Sequence, residues 1–124
     1  MPTDADFWPN DILGTEPGPV EALRKQAGFL GEKTEYVLVG DVRTDVSRGN
    51  FVHSFDLVIP SLDRYRYNLL RVSHDITYYP LEWFFGDDHG YLHSEEEFMT
   101  WLKSVLSSDA TKRIIRTLLT QARS

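Results

Sequence analysis

Cysteine is absent from the chain, which removes disulfides, zinc–thiolate sites and thiol nucleophiles together and suits a reducing compartment. Long apolar runs are absent too. Nothing approaches the roughly 18 residues of a spanning helix, and the opening MPTDADFWPNDILG has neither the basic start nor the continuous apolar stretch of a secretion signal. A soluble, cytoplasmic protein with no membrane partner is expected. Basic residues are the minority, 13 Lys and Arg against 19 Asp and Glu for a net charge of −6. That balance repels phosphate backbones, so nucleic acid is not an expected partner. Gly28, Gly31 and Gly40 fit neither GxxxxGK nor GxGxxG spacing, and no HExxH occurs, so no cofactor is expected.

What remains is enough for a packed core. Hydrophobic residues make up 41% of 124 positions, a size and composition suited to one compact domain. Residues 1–18 form an acidic arm: Asp4, Asp6, Asp11 and Glu16 occur without a Lys or Arg, beside three prolines and the apolar Phe7, Trp8, Ile12 and Leu13. Phe7 and Trp8 either pin the arm onto its own domain or offer an acidic-aromatic peptide to a partner. Residues 19–124 are expected to form a single α+β domain.

Gly18-Pro19 opens a helix, since proline at the first helical position sacrifices no hydrogen bond. Val20, Leu23, Ala27 and Leu30 supply its stripe, Glu21 and Lys25 an i,i+4 ion pair, and Gly31 a stop. TEYVLVGDVRT and FVHSFDLVI read as two strands joined through DVSRGN, where Gly49 and Asn50 accept positive φ. YRYNLLRVS and TYYPLEWFF read as the third and fourth strands, with Pro80 marking the fourth as an edge or bulged strand. Ser94 and Glu97 are a capping box ahead of the stripe Phe98, Trp101, Leu102, Val105 and Leu106. SSD at 107–109 caps a last helix carrying Ile114, Ile115, Leu118, Leu119 and Ala122 on one face and Lys112, Arg113 and Arg116 on another. The expected architecture is a two-layer α+β fold, α-β-β-β-β-α-α, with an antiparallel four-stranded meander packed on helices.

The densest chemistry lies in WFFGDDHGYLHSEEEF. Asp87, Asp88, His89 and His93 have the donor types for zinc, manganese or iron, whereas Gly86, Asp87, Asp88 and Gly90 are also what a tight turn needs. The turn reading accounts for the stretch without a metal. Ser73-His74-Asp75 resembles a hydrolase triad only on paper, because neighbours on a strand point to opposite faces. His53, among Phe51, Phe55 and Leu57, reads as a core-edge histidine with a satisfied nitrogen. Tyr65, Arg66, Tyr67 and Arg71 interleave rings and cations as a base-stacking surface does, but tyrosines are also ordinary strand formers.

Sheet alternation gives the leading functional expectation. If Tyr36, Leu38, Phe55, Leu57, Tyr67, Leu69, Leu81, Trp83 and Phe85 face the helices, a period of two sends Val37, Val39, Val52, Val58, Leu70, Val72, Tyr78 and Phe84 outward among Asp56, Arg66, Asn68 and Glu82. An apolar centre with a polar surround is how binding patches are built. The chain is thus expected to be a non-catalytic protein-binding module of inhibitor, immunity or chaperone type. Val39, Val58, Arg66, Leu70, Tyr78, Glu82 and Phe84 would form its surface, and the partner would be basic or a second copy. Two other classes remain open: a small metal-assisted enzyme using Asp87, Asp88, His89 and His93, and a structural homo-oligomer burying the same sheet face.

Overall fold

The computed structural model describes residues 5–14 and 17–124; Asp4 and Glu16 of the acidic arm lie outside them. The element order is α1 (Pro19–Lys33), β1 (Val39–Ser47), β2 (Asn50–Ile59), β3 (Tyr65–His74), β4 (Leu81–Phe85), β5 (Asp88–Leu92), α2 (Glu95–Leu106) and α3 (Asp109–Ala122). All five strands form one antiparallel meander in sequence order. The α+β architecture is therefore as expected, with five strands in place of four. The fifth was hidden because DHGYL carries Asp and Gly, residues depleted in strands. Its pairing is set by the preceding two-residue turn, in which Gly86 at φ 60° brings Phe85 opposite Asp88.

Pro19 does open α1, and Leu23, Ala27 and Gly31 lie on its buried face. Gly31 does not stop the helix. It is buried beneath the Tyr36 ring, and the chain continues to Lys33 before Thr34 ends it, the Thr34 hydroxyl lying 3.0 Å from the Leu30 carbonyl and 2.9 Å from that of Leu38. Glu35 and Tyr36 have positive φ, and Tyr36 is exposed, not core-facing. β1 consequently begins only at Val39. Its hairpin with β2 turns on Arg48 (φ 52°) and Gly49 (φ 82°), while Asn50 already belongs to the strand. Pro80 sits before β4, which is an interior strand between β3 and β5, not an edge.

Ser94 caps α2, accepting from the Glu97 amide at 3.1 Å, and the Glu97 carboxylate returns to the His93 amide at 3.1 Å. Ser108 caps α3, accepting from the Thr111 amide at 3.2 Å. The apolar residues of all three helices join one core with Leu38, Phe55, Leu57, Ile59, Val72 and Leu81 of the sheet and its approach. At Gly40 the approach is so close that an added Cβ would stand 2.7 Å from the Ala27 Cβ. None of the described helices is long and apolar enough to cross a membrane.

One irregularity sets the two sheet faces. Phe55 pairs with Leu70 but Asp56 pairs with Asn68, leaving Leu69 as an extra residue in β3. Both Leu69 and Leu70 are buried in the core, and every later residue of β3 is shifted by one relative to simple alternation. The inner, helix-covered face carries Gly40, Val42, Thr44, His53, Phe55, Leu57, Leu70, Val72, His74, Leu81 and Trp83. The outer face carries Val39, Asp41, Arg43, Ser54, Asp56, Val58, Arg66, Asn68, Arg71, Glu82, Phe84, His89 and Tyr91.

Candidate functional site

The outer face is organised around one carboxylate. Asp56 lies in the central apolar run of β2 and is only 1% exposed. Its neighbours on both flanking strands are chosen by register: Asp41 and Asn68 sit directly opposite, Arg43 and Arg66 two places away. Asp56 Oδ2 accepts from Arg66 at 2.8 Å and from Arg43 at 3.1 Å, and Oδ1 accepts from Asn68 at 2.8 Å. Arg66 also reaches Asp41 at 2.8 Å. A carboxylate with three donors, two of them charged, sits in the strong class of hydrogen-bonded ion pairs. The result is two guanidinium groups held at fixed positions on an open surface, Arg43 remaining 57% exposed.

Beside this clamp lies an aromatic strip. Arg71 stands over the Phe84 ring at 5.3 Å, Phe84 stacks on His89 at 6.3 Å, and Tyr91 is exposed on the next edge. Glu82 lies 3.9 Å from His89. Val58 is fully buried without belonging to the helix-side core, because it sits between Val39 and Arg66 on the outer face. The surface is thus a charged clamp adjoining an arginine–aromatic strip, not the apolar centre read from alternation.

The inner face holds a second polar feature. His53 and His74 converge, their Nε2 atoms 2.8 Å apart, on the wall of a cavity of about 610 Å³ beneath the start of α1. Arg24, Phe51, Ile76 and Tyr78 line it as well. The tautomers follow from the outer partners. His74 Nδ1 lies 2.7 Å from the Asp75 carbonyl, which only accepts, so Nδ1 carries the proton and Nε2 accepts. His53 must then donate from Nε2, and its Nδ1 accepts from the Thr44 hydroxyl at 2.8 Å. Burial, followed by His74 and Arg24 nearby, lowers the His53 pKa from 6.5 to about 4. The His53 ring is therefore neutral at pH 7, and both of its nitrogens are engaged within the protein. The pair fastens β2 to β3 and offers an entering ligand no free histidine nitrogen.

The aspartate–histidine turn does not assemble. Asp87 and Asp88 are exposed at the β4–β5 turn, His89 lies on the outer face, and His93 is exposed before α2. Among the described residues no group of three or more His, Asp and Glu side chains is placed to hold a metal ion. Ser73, His74 and Asp75 likewise do not form a triad, since His74 turns inward to His53 and Asp75 accepts from Thr77. Those Thr77 bonds hold the Asp75 carboxyl below its usual range.

Of the residues expected on the outer face, Val39, Val58, Arg66, Glu82 and Phe84 are there. Leu70 is not: the bulge carries it into the core at 1% exposure, and Val72 follows it. Tyr78 belongs to the inner cavity, at φ 70° in the β3–β4 connection with its ring 5.2 Å from that of His74. Sequence reasoning missed Arg43, Arg71 and Tyr91 as members of the patch. A signal existed for the clamp, because Asp56 is an acid inside SFDLVI and such a group needs cationic partners on adjoining strands. In the arm, Phe7 and Trp8 are exposed rather than pinned to the domain. No protein-family model, curated protein or solved structure matches this chain.

Proposed function

We propose that the chain is a non-catalytic protein-binding module of the inhibitor, immunity or chaperone kind, working through the outer sheet face. The observation that carries this is the Asp56 clamp with its neighbouring strip. Arg43 and Arg66 are prepositioned by a buried carboxylate, and Arg71, Phe84 and Tyr91 lie beside them on a face whose residues take no part in the helix-side core. Arginine and aromatic residues dominate binding energy at protein interfaces, and fixing them in advance lowers the entropic cost of association.

The net charge of −6 favours encounter with a basic partner by long-range steering. The face itself alternates in sign along β1, at Asp41, Arg43 and Asp45, and across the sheet the acidic Asp56 of β2 lies beside the cationic Arg66 of β3. Such alternation specifies the register of a partner more than it adds affinity. The test is affinity capture from host lysate with wild type and with Arg71→Glu, Phe84→Glu, both checked for an unchanged melting temperature. A captured protein is then purified and titrated directly. Binding lost in the variant supports the outer face; a partner that binds both alike excludes it.

A further inference from the structure

We infer that β1 is a dimerisation edge, pairing antiparallel with β1 of a second copy about a two-fold axis at Thr44. β1 and β5 are the two edges of the sheet. β5 has five residues and runs almost directly into α2, whereas β1 has nine, with no proline, lysine or bulge to blunt it. A long unpaired edge of that kind is a template for strand addition.

The hairpin fixes which groups are open. Its two-residue turn makes Ser47 and Asn50 a hydrogen-bonded pair, so odd-numbered residues of β1 bond to β2. The amides and carbonyls of Gly40, Val42, Thr44 and Val46 therefore point away from the sheet. Among the described residues, no backbone group outside the sheet bonds to them.

Side chains then choose between registers. An axis at Arg43 would set arginine against arginine and Asp41 against Asp45, like charges directly opposed. An axis at Val42 or at Thr44 sets acids against Arg43 instead. α1 decides between these two. It packs over the first half of β1, at Gly40 and Val42, while Arg43 to Ser47 are exposed. With the axis at Val42, the covered segments of the two copies would be only two residues out of step and their helices would collide. With the axis at Thr44, residue 41 of one copy faces Ser47 of the other, a separation of about 20 Å between covered segments. Arg43 then faces Asp45 twice and Val42 faces Val46 twice. Asp45 has no ion-pair partner within the chain among the described residues, and Val46 is 69% exposed.

The native absence of cysteine makes a direct test available. Sedimentation of the wild type at rising concentration is expected to reach twice 14.3 kDa. Thr44→Cys should cross-link to itself under mild oxidation, and Val42→Cys should not, because only residue 44 meets its own copy across the axis. Val46→Pro deletes an outward amide without touching the core and should leave a folded monomer. Asp45→Arg places arginine opposite arginine at both ends and should weaken the dimer on the order of tenfold or more. A wild type that stays monomeric at high micromolar concentration overturns the proposal. So does efficient cross-linking through Val42→Cys, or a dimer indifferent to both Val46→Pro and Asp45→Arg.

Discussion

Acidification should weaken the fold through His53, and the size of the effect can be worked out. His53 is 4% exposed, donates to His74 and accepts from Thr44, and its pKa falls from 6.5 to about 4 on folding. Above pH 6.5 neither folded nor unfolded chain holds the proton, and this group leaves stability independent of pH. Between 6.5 and 4 the unfolded chain takes up a proton that the folded chain refuses, so stability falls as pH falls. The slope approaches about 1.36 kcal/mol per pH unit, and the whole interval is worth about 3 kcal/mol. Below pH 4 both states are protonated and the contribution levels off. For a domain whose total stability is about 5–15 kcal/mol, that loss is large. Urea denaturation at stepped pH, compared between wild type and His53→Gln, measures it. Glutamine keeps a donor toward His74 and cannot titrate, so the variant should cost about 1 kcal/mol at pH 7, match wild type between about pH 6 and 5.5, and be the more stable by about 2 kcal/mol near pH 4. Parallel stability curves for the two proteins across that window, or a His53 resonance titrating near 6.5, would refute the assignment.

Three further outcomes are expected. Gly40→Ala forces a Cβ to within 2.7 Å of Ala27 and should cost about 1–3 kcal/mol in urea melts, while Gly28→Ala, with nothing within 4 Å, should gain up to about 1 kcal/mol. Asp56→Ala removes the acceptor for three side chains and should cost about 2 kcal/mol, against under about 1 kcal/mol for the solvent-exposed Arg43→Ala; equal costs would mean the clamp does not act as drawn. Deleting Leu69 should lose about 2–5 kcal/mol with the fold intact, since Phe55–Leu70 and Asp56–Asn68 pairing both survive, whereas deleting Arg71 should abolish folding by turning Val72 and His74 outward. Thermal melts and amide dispersion in NMR spectra separate the two deletions.

Helices were legible in the sequence because their signals are local. Pro19 at the start of α1, Ser94 with Glu97 ahead of α2, and Ser108 ahead of α3 each act within four residues of the bond they make. Strand existence was mostly legible for the same reason, with β5 lost because its aspartate and glycine resemble the turn before it. Side-chain facing was not. It depends on register, register depends on the bulge, and the bulge is chosen by how β3 packs against β2 and the helices. The candidate site suffered accordingly: Arg66, Glu82 and Phe84 were placed on the correct face, Leu70 and Tyr78 on the wrong one. His53 and His74 are 21 residues apart, and no spacing rule brings them together without knowing that Phe51 lies opposite His74.

The same irregularity builds both polar features. Before Leu69, β3 presents Arg66 and Asn68 outward, within reach of Asp56. After it, simple alternation would continue with Leu70, Val72 and His74 outward and Arg71 inward, burying an unpaired guanidinium and exposing two aliphatic side chains. The extra residue reverses this. Arg71 turns out to meet Phe84, and His74 turns in to meet His53. A regular β3 could satisfy either the outer clamp or the inner histidine pair, but not both with this sequence. The burial of Leu69 and Leu70 side by side in the core offsets the broken pairing at the bulge. A packing requirement on the helix side thereby decides which side chains reach the open face, and that is why the surface became readable only from the assembled sheet.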